Sequence, residues 1–404
     1  MLKAYTHLNE IVTLKDAHKK DGRFLRPEDL SIIKNGSIVF DDQKILWVGE
    51  TERFPDQYLP LAKNLSGHVL TPEIVDSHTH LVFGGDRAQE YADRLNGISY
   101  EDIAKRGDGI LYTVKKTNEA TMDELFDSAC ERIQRMQSYG VGTIEIKSGY
   151  GLNYQREYEI TLLIHRLKKR FIHQVKIFNT FLAAHDVPKL SKTSTEYLKE
   201  VVLPLLEKLA PLNVIDAVDI FHEKNFFNSL DGEALFKMAT DLNIACKIHA
   251  DELNSNGGTE LAVKYHALSA DHLLQVSQEG ISQLALSKTV ATLLPGTAFF
   301  LGKPLPPARK LLDAGAKIAI ASDFNPGSCH CDNVLMIASI SAAQLKLNQA
   351  ELWAGITLNA AAALGYKNQG AIIPGMESRF TLFRIESSSH ITYNWGRNFS
   401  VSLP

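Results

Sequence analysis

Apolar positions in the middle of the chain follow two alternating rhythms. Short runs rich in Val, Ile, Leu and Ala stand at 73–80, 142–151, 175–185, 215–224, 245–253, 266–273, 288–297 and 317–325, eight in all. Runs of this length read as strands. Between most of them the period becomes helical. The cleanest case is TMDELFDSACERIQRMQSYG (121–140). There Thr121 and Glu124 form a capping-box pair, Leu125, Ala129, Ile133 and Met136 share one face, and Gly140 closes the end. Residues 154–169, 230–243 and 308–316 carry the same pattern. Strands alternating with helices pair in parallel through crossovers. Eight such units over roughly 300 residues suit an α/β fold of the closed (β/α)8 TIM-barrel type. An open doubly wound sheet would want a Gly-rich dinucleotide turn after an early strand, and the sequence has none.

The two chain ends read differently. SIVF (37–40), the turn residues Asp41-Asp42 and KILWVG (44–49) predict a hairpin. RFTLFRIE (379–386) and HITYNW (390–395) are aromatic and β-branched, and read as strands. Neither end is long enough for a core of its own. Residues 1–66 and 367–404 are therefore expected to join in one small β domain flanking a barrel at 67–366. The basic run HRLKKR (165–170) ends a helical stretch and reads as a solvated last turn, where cations suit the negative end of the dipole.

Composition narrows the function classes. With 45% hydrophobic and 22% charged residues among 404, the chain has the material for a large core and is not disordered. A net charge of −4 gives no basic excess for nucleic acid or anionic membrane. Four cysteines in this length make no disulfide framework. The start, MLKAYTHLNEIVTLKD, is too polar for a signal peptide. No run reaches the ~18–20 apolar residues of a membrane span. The expectation is a cytoplasmic protein with neither nucleic-acid nor membrane partners.

A closed barrel puts its active site at the C-terminal ends of the strands. The residues there are His78-Thr79-His80, Lys147-Ser148-Gly149-Tyr150, His185, His222-Glu223, His249-Ala250-Asp251-Glu252, Asp271-His272 and Asp323-Phe324-Asn325. Histidines two apart on a strand point to the same side, so His78 and His80 can share a metal. With His249 and Asp323 they make a shell of three imidazoles and one carboxylate, suited to zinc or iron with room for water. The plainer reading of Asp323 alone is a cap or an ion pair. Glu252, three residues past His249, is a candidate general acid/base, against a solvated loop carboxylate. His272 either polarises a carbonyl or orients a ligand. Asp323 is itself a candidate proton acceptor, and the sequence does not divide that work from Glu252. Lys147 follows the second apolar run rather than the fourth, which offers His222 and Glu223, so a lysine-bridged metal pair is not expected and one ion is. Cys329-His330-Cys331 lacks a second cysteine pair and reads as loop packing.

These residues resemble the mononuclear branch of the amidohydrolase superfamily, and within it the imidazolonepropionase family of histidine degradation. The selecting motifs are EIKSGYGL (145–152), LAAHDVP (182–188), HADEL (249–253), SADHL (269–273) and SDFNPGS (322–328), in a likeness that spans nearly the whole chain. The resemblance implies a metal-dependent cyclic amidohydrolase acting on a C–N bond. It opens 4-imidazolone-5-propanoate with a metal-activated water to give N-formimidoyl-L-glutamate. It implies one zinc or iron ion, divalent or trivalent, per chain, a small-molecule substrate and a homodimer. The substrate's propanoate needs a fixed cation, and Arg87, in the loop GGDRAQEY, can grip a carboxylate through two hydrogen bonds. By the same resemblance Tyr150 and His185 line the pocket, and Asn325, Gly327 and Ser328 hold substrate or product atoms, with Glu252 among the contacts. Tyr100 is a further pocket candidate. The turn N-P-G-S needs such residues for backbone reasons alone. The alternative is a sibling aminohydrolase that deaminates a purine or pyrimidine and has no use for Arg87. A barrel that has lost catalysis and serves as a scaffold is expected to have broken ligands, and here all four are intact.

Overall fold

Backbone polar groups need partners, and the chain ends find theirs in one another. A computed structural model describes residues 1–98, 109–188 and 193–404 of the chain. The N-terminal part holds strands β1 (Lys3–Val12), β2 (Ile32–Phe40), β3 (Ile45–Glu50), β4 (Ala62–Asn64) and β5 (Val69–Pro72). The expected hairpin is β2–β3, antiparallel, and its turn is fixed by Asp41 Oδ1, which accepts the Gln43 and Lys44 N–H groups at 2.8 Å each.

Eight parallel strands follow: β6 (Ile74–Asp76), β7 (Val141–Lys147), β8 (Lys176–Ala184), β9 (Ala217–His222), β10 (Ala245–Ala250), β11 (Ser269–His272), β12 (Val290–Leu293) and β13 (Ile318–Ile320). Each coincides with one of the eight apolar runs, β7 starting one residue ahead of its run. They pair in sequence order from β6 to β13. The ring closes just past the strand ends, where Asp323 donates its N–H to His78 O (3.0 Å) and His80 donates to Phe324 O (2.9 Å). Closure therefore runs through the residues that carry the site.

The C-terminal strands β14 (Phe380–Phe383) and β15 (Ser400–Val401) complete a mixed sheet in the order β15-β14-β5-β1-β2-β3, with β4 beside β1. HITYNW is not a strand, contrary to its composition: Ser389–Tyr393 is a short helix. Ser388, just before it, donates both N–H and hydroxyl to Glu10 Oε2 at 2.7 Å, which turns the chain off the sheet. The place beside β14 goes to Ser400–Val401 instead.

Helices cover the barrel. Those used below are α1 (Ala88–Leu95), α2 (Met122–Ser138) and α3 (Tyr154–Arg170). The α2 capping box forms as read: Glu124 N–H donates to Thr121 Oγ1 (3.2 Å) and Thr121 N–H to Glu124 Oε2 (2.7 Å). Leu125, Ala129, Ile133 and Met136 are buried in the same apolar cluster as Ile144 and Ile146 of β7. In the basic last turn of α3, Lys168 reaches Asp216 at 2.6 Å, while Lys169 and Arg170 are exposed. Because strand side chains alternate, the residues between the apolar ones point inward. That interior is charged: Glu145, Lys147, Asp219, Lys247 and Asp271 are all fully buried. Among the described residues no helix is long and apolar enough to cross a membrane.

Candidate active site

His78 and His80 leave β6 on the same side, as their spacing requires, and His249 arrives from β10. His78 Nε2 and His249 Nε2 lie 3.2 and 3.3 Å from His80 Nε2. Asp323 Oδ1 lies 3.6 Å from His78 Nε2 and 3.5 Å from His80 Nε2. A tetrahedral ion about 2.0–2.1 Å from each donor puts neighbouring donors about 3.3–3.4 Å apart. The four spacings lie within about 0.3 Å of that figure, and His78, His80 and His249 form a group with metal-ligand spacing that does not include Asp323.

The protonation pattern also fits a cation. His78 Nδ1 faces Asp271 Oδ2 at 2.6 Å and His249 Nδ1 faces Asp219 Oδ2 at 3.1 Å. A carboxylate at Nδ1 holds the proton there and leaves the Nε2 lone pair free. The lone pairs of His78 and His249 then both point at His80 Nε2, which can donate at most one proton. Burial, Lys147 and the neighbouring imidazoles hold His78 well below the usual imidazole range. Burial, His185 and His249 do the same for His80. Both are neutral donors. Burial also pushes His249 down, but Asp219 outweighs it and the net shift is upward.

Beneath these rings the charged interior holds the orienting carboxylates. Lys147 Nζ donates to Asp219 (2.7 Å) and Glu145 (2.9 Å), and Lys247 Nζ lies 3.5 Å from both Glu145 and Asp271. His78, Glu145 and Asp271 form a second group with metal-ligand spacing, and the two lysine ammonium groups already lie against its carboxylates. Cys329 and Cys331 belong to neither group with such spacing among the described residues.

Glu252 and His272 flank the cluster. His272 Nδ1 stands 3.6 Å from Glu252 Oε2, and the His272 ring is 5.5 Å from that of His78. His272 (φ +78°) and Asp323 (φ +51°) are two of sixteen non-glycine residues at positive φ among the described residues. On the other side His185 stacks on His80, with centroids 4.8 Å apart and planes 15° from parallel. Burial and His249 push His185 down to about 3, so it too is neutral. The Tyr150 ring lies 5.3 Å from His185 and 5.9 Å from His80.

Arg87 stands at the start of α1 and is already held on one edge. Its Nε and Nη2 donate to Glu90 Oε2 and Oε1, both at 2.7 Å. The Nη1 side lies against Gly327, where a Cβ would come within 1.8 Å of Nη1. Only glycine leaves the guanidinium in place. Asn325 spends its amide on the turn: Oδ1 accepts from Gly327 N–H and Ser328 N–H at 2.8 Å each, and Nδ2 donates to Ser328 Oγ at 2.8 Å. The backbone reading of N-P-G-S thus accounts for the contacts of Asn325 and Ser328 seen here. His222 faces Ser229 and stands outside the cluster. Tyr100 lies outside the described residues.

The comparisons identify the scaffold and the family. No protein-family model matches the chain. An imidazolonepropionase from Acinetobacter baumannii is 39% identical over 366 residues, covering 90% of this chain and 91% of that one. One from Fusobacterium nucleatum is 35% identical over 404 residues, covering 98% and 96%. The chain belongs to the imidazolonepropionase family. Among solved structures, an atrazine chlorohydrolase from Arthrobacter aurescens complexed with zinc superposes with a TM-score of 0.68 at 14% identity, covering 95% of this chain and 88% of that one. A guanine deaminase from C. acetobutylicum with bound guanine gives 0.70 at 15%, covering 99% and 98%. At such identities they speak for the barrel alone.

Reading the imidazolonepropionase motifs leaves several roles in the site unassigned. Asp219 and Glu145 sit inside apolar strands, and Asp271, though named at a strand end beside His272, carries no mark of the imidazole it partners. Three buried glutamates, Glu90, Glu157 and Glu223, each tie down a loop at the mouth. Glu223 accepts from Leu253 N–H (2.8 Å) and Asn254 N–H (3.2 Å), next to Glu252. An i, i+2 repeat of charges within one strand, as in Glu145/Lys147, is the signal that could have exposed the interior network.

Proposed function

We propose that this protein hydrolyses 4-imidazolone-5-propanoate to N-formimidoyl-L-glutamate, using one zinc or iron ion held by His78, His80, His249 and Asp323. The observation that carries the reading is the group of three imidazole Nε2 atoms at metal-ligand spacing, with the Asp323 carboxylate within 3.6 Å of two of them. An ion bound there supplies Lewis acidity, which makes water nucleophilic near neutral pH. One ion is proposed rather than two because Lys147 and Lys247 already neutralise the neighbouring carboxylates.

The chain's own residues do the rest. Glu90 fixes one edge of Arg87, and the remaining guanidinium edge grips the propanoate. Tyr150 and His185 bond the polar ring from one side. Glu252 takes a proton from the attacking water as its oxygen bonds to the ring carbonyl carbon. When the C–N bond breaks, that proton passes from Glu252 to the departing ring nitrogen. His272, beside Glu252, steadies the charge developing on the carbonyl oxygen. Membership of the imidazolonepropionase family supports this substrate over a nucleobase, and Arg87, packed against Gly327, answers to the substrate's carboxylate.

The test is to incubate purified, metal-loaded protein with imidazolonepropanoate and analyse the product. The expected result is loss of the substrate's ultraviolet absorbance, N-formimidoylglutamate formed in equal amount, and no ammonia. Ammonia released from a purine or pyrimidine, with imidazolonepropanoate untouched, would establish the deaminase instead.

A further inference from the structure

The loop after β7 carries Tyr150, and past Ser148, whose N–H still pairs with Thr180 O of β8 at 3.0 Å, its backbone leaves the sheet. Its donors turn to one acceptor. Glu157 of α3 is fully buried, and its Oε1 accepts from Gly151 N–H (2.6 Å) and Leu152 N–H (3.0 Å). Its Oε2 accepts from Gly149 N–H at 3.0 Å. The residues on both sides of Tyr150 are thus gripped by a single side chain.

The local sequence is built around that grip. A Cβ on Gly151 would stand 2.8 Å from Glu157 Oε1, and one on Gly149, at φ +115°, would stand 2.8 Å from Leu182 O. Leu152 is held at φ +48°, a region a branched side chain seldom visits. A carboxylate buried this deeply costs several kcal/mol unless its lone pairs are met, so the loop and the carboxylate stabilise each other. The loop also reaches the next pocket residue, since Gly149 O lies 3.1 Å from His185 Nδ1.

We propose that Glu157 is the positioning residue of Tyr150: by gathering the 149–152 backbone onto one carboxylate it holds the phenol over the pocket and so sets affinity for the substrate. This rests on the reading of Tyr150 as a substrate contact. Glu157 lies outside the cluster of imidazoles, so metal content does not depend on it.

The test compares Glu157→Gln with wild type, alone and in a Tyr150→Phe background. The amide keeps an acceptor for Gly151 and Leu152 but turns an NH2 toward Gly149 N–H. Glu157→Asp, which keeps the charge and withdraws it by one methylene, provides a second variant less disruptive to folding. The expected result is a KM raised about tenfold in Glu157→Gln and less in Glu157→Asp, with kcat within about twofold. Metal content stays at the wild-type level. In the Tyr150→Phe background the further loss from Glu157→Gln falls below about twofold, because the hydroxyl it positions is gone. An unchanged KM in the folded variants, or the same loss with and without the Tyr150 hydroxyl, overturns the inference alone. A wild type inert toward imidazolonepropanoate overturns the reading of the site and this inference with it.

Discussion

Glu252 and Asp271 do different work for the same cluster, and substitution separates them. Glu252 touches no imidazole of the cluster directly; its neighbour is His272. Glu252→Gln is therefore expected to keep its metal and lose about 10²–10⁴-fold in kcat, checked by steady-state rates beside metal analysis. Normal turnover in that variant would move the proton transfer to Asp323 or His272. Asp271 acts from behind, through the 2.6 Å contact with His78 Nδ1. Asp271→Asn turns an acceptor into a group that can also donate, and lets the His78 proton shift to Nε2. The expected outcome is metal affinity lowered about 10–100-fold in a chelator competition, whereas Asp271 would be mere filler if affinity held. The difference in legibility between these residues has a physical reason. A ligand stands at a strand end with other polar residues and is visible as a motif. Asp219 is identified, and Asp271 is given its role, only by which imidazole each faces, and that depends on neighbouring strands rather than on spacing along the chain.

The elements were the most legible level where period and caps agreed. The α2 pattern combined an apolar face, a capping box and a closing glycine, and all three reappear. Thr121→Ala should cost about 1 kcal/mol of stability, read as a lowered denaturation midpoint, with kcat/KM unchanged since α2 lies on the outer layer. A fall in activity at constant stability would show that α2 reaches the site. HITYNW shows the opposite case. Its aromatic and β-branched residues favour a strand, yet the buried Ser388–Glu10 contact turns the chain, and only Ile391 of that short helix is buried. Propensity yields where a long-range bond fixes the path. The glutamates that tie down the loops were illegible for a related reason. Glu157 looks like any acidic residue in a helix's first turn until the glycine loop is seen folded onto it.

At the scale of the molecule, one ring of strands brings side chains from positions 78 to 323 to a single rim, and the backbone bonds that close the ring belong to His78, His80 and Asp323. Barrel closure thus shares His78, His80 and Asp323 with the proposed metal site. One ion in this site is proposed to run the ring opening. The most direct measurement strips the protein with a chelator, titrates zinc back, and follows imidazolonepropanoate consumption at each addition. Negligible activity is expected in the stripped protein, then a linear rise and a sharp break at one equivalent per chain. Full activity without metal, or a break at two equivalents, would contradict that proposal.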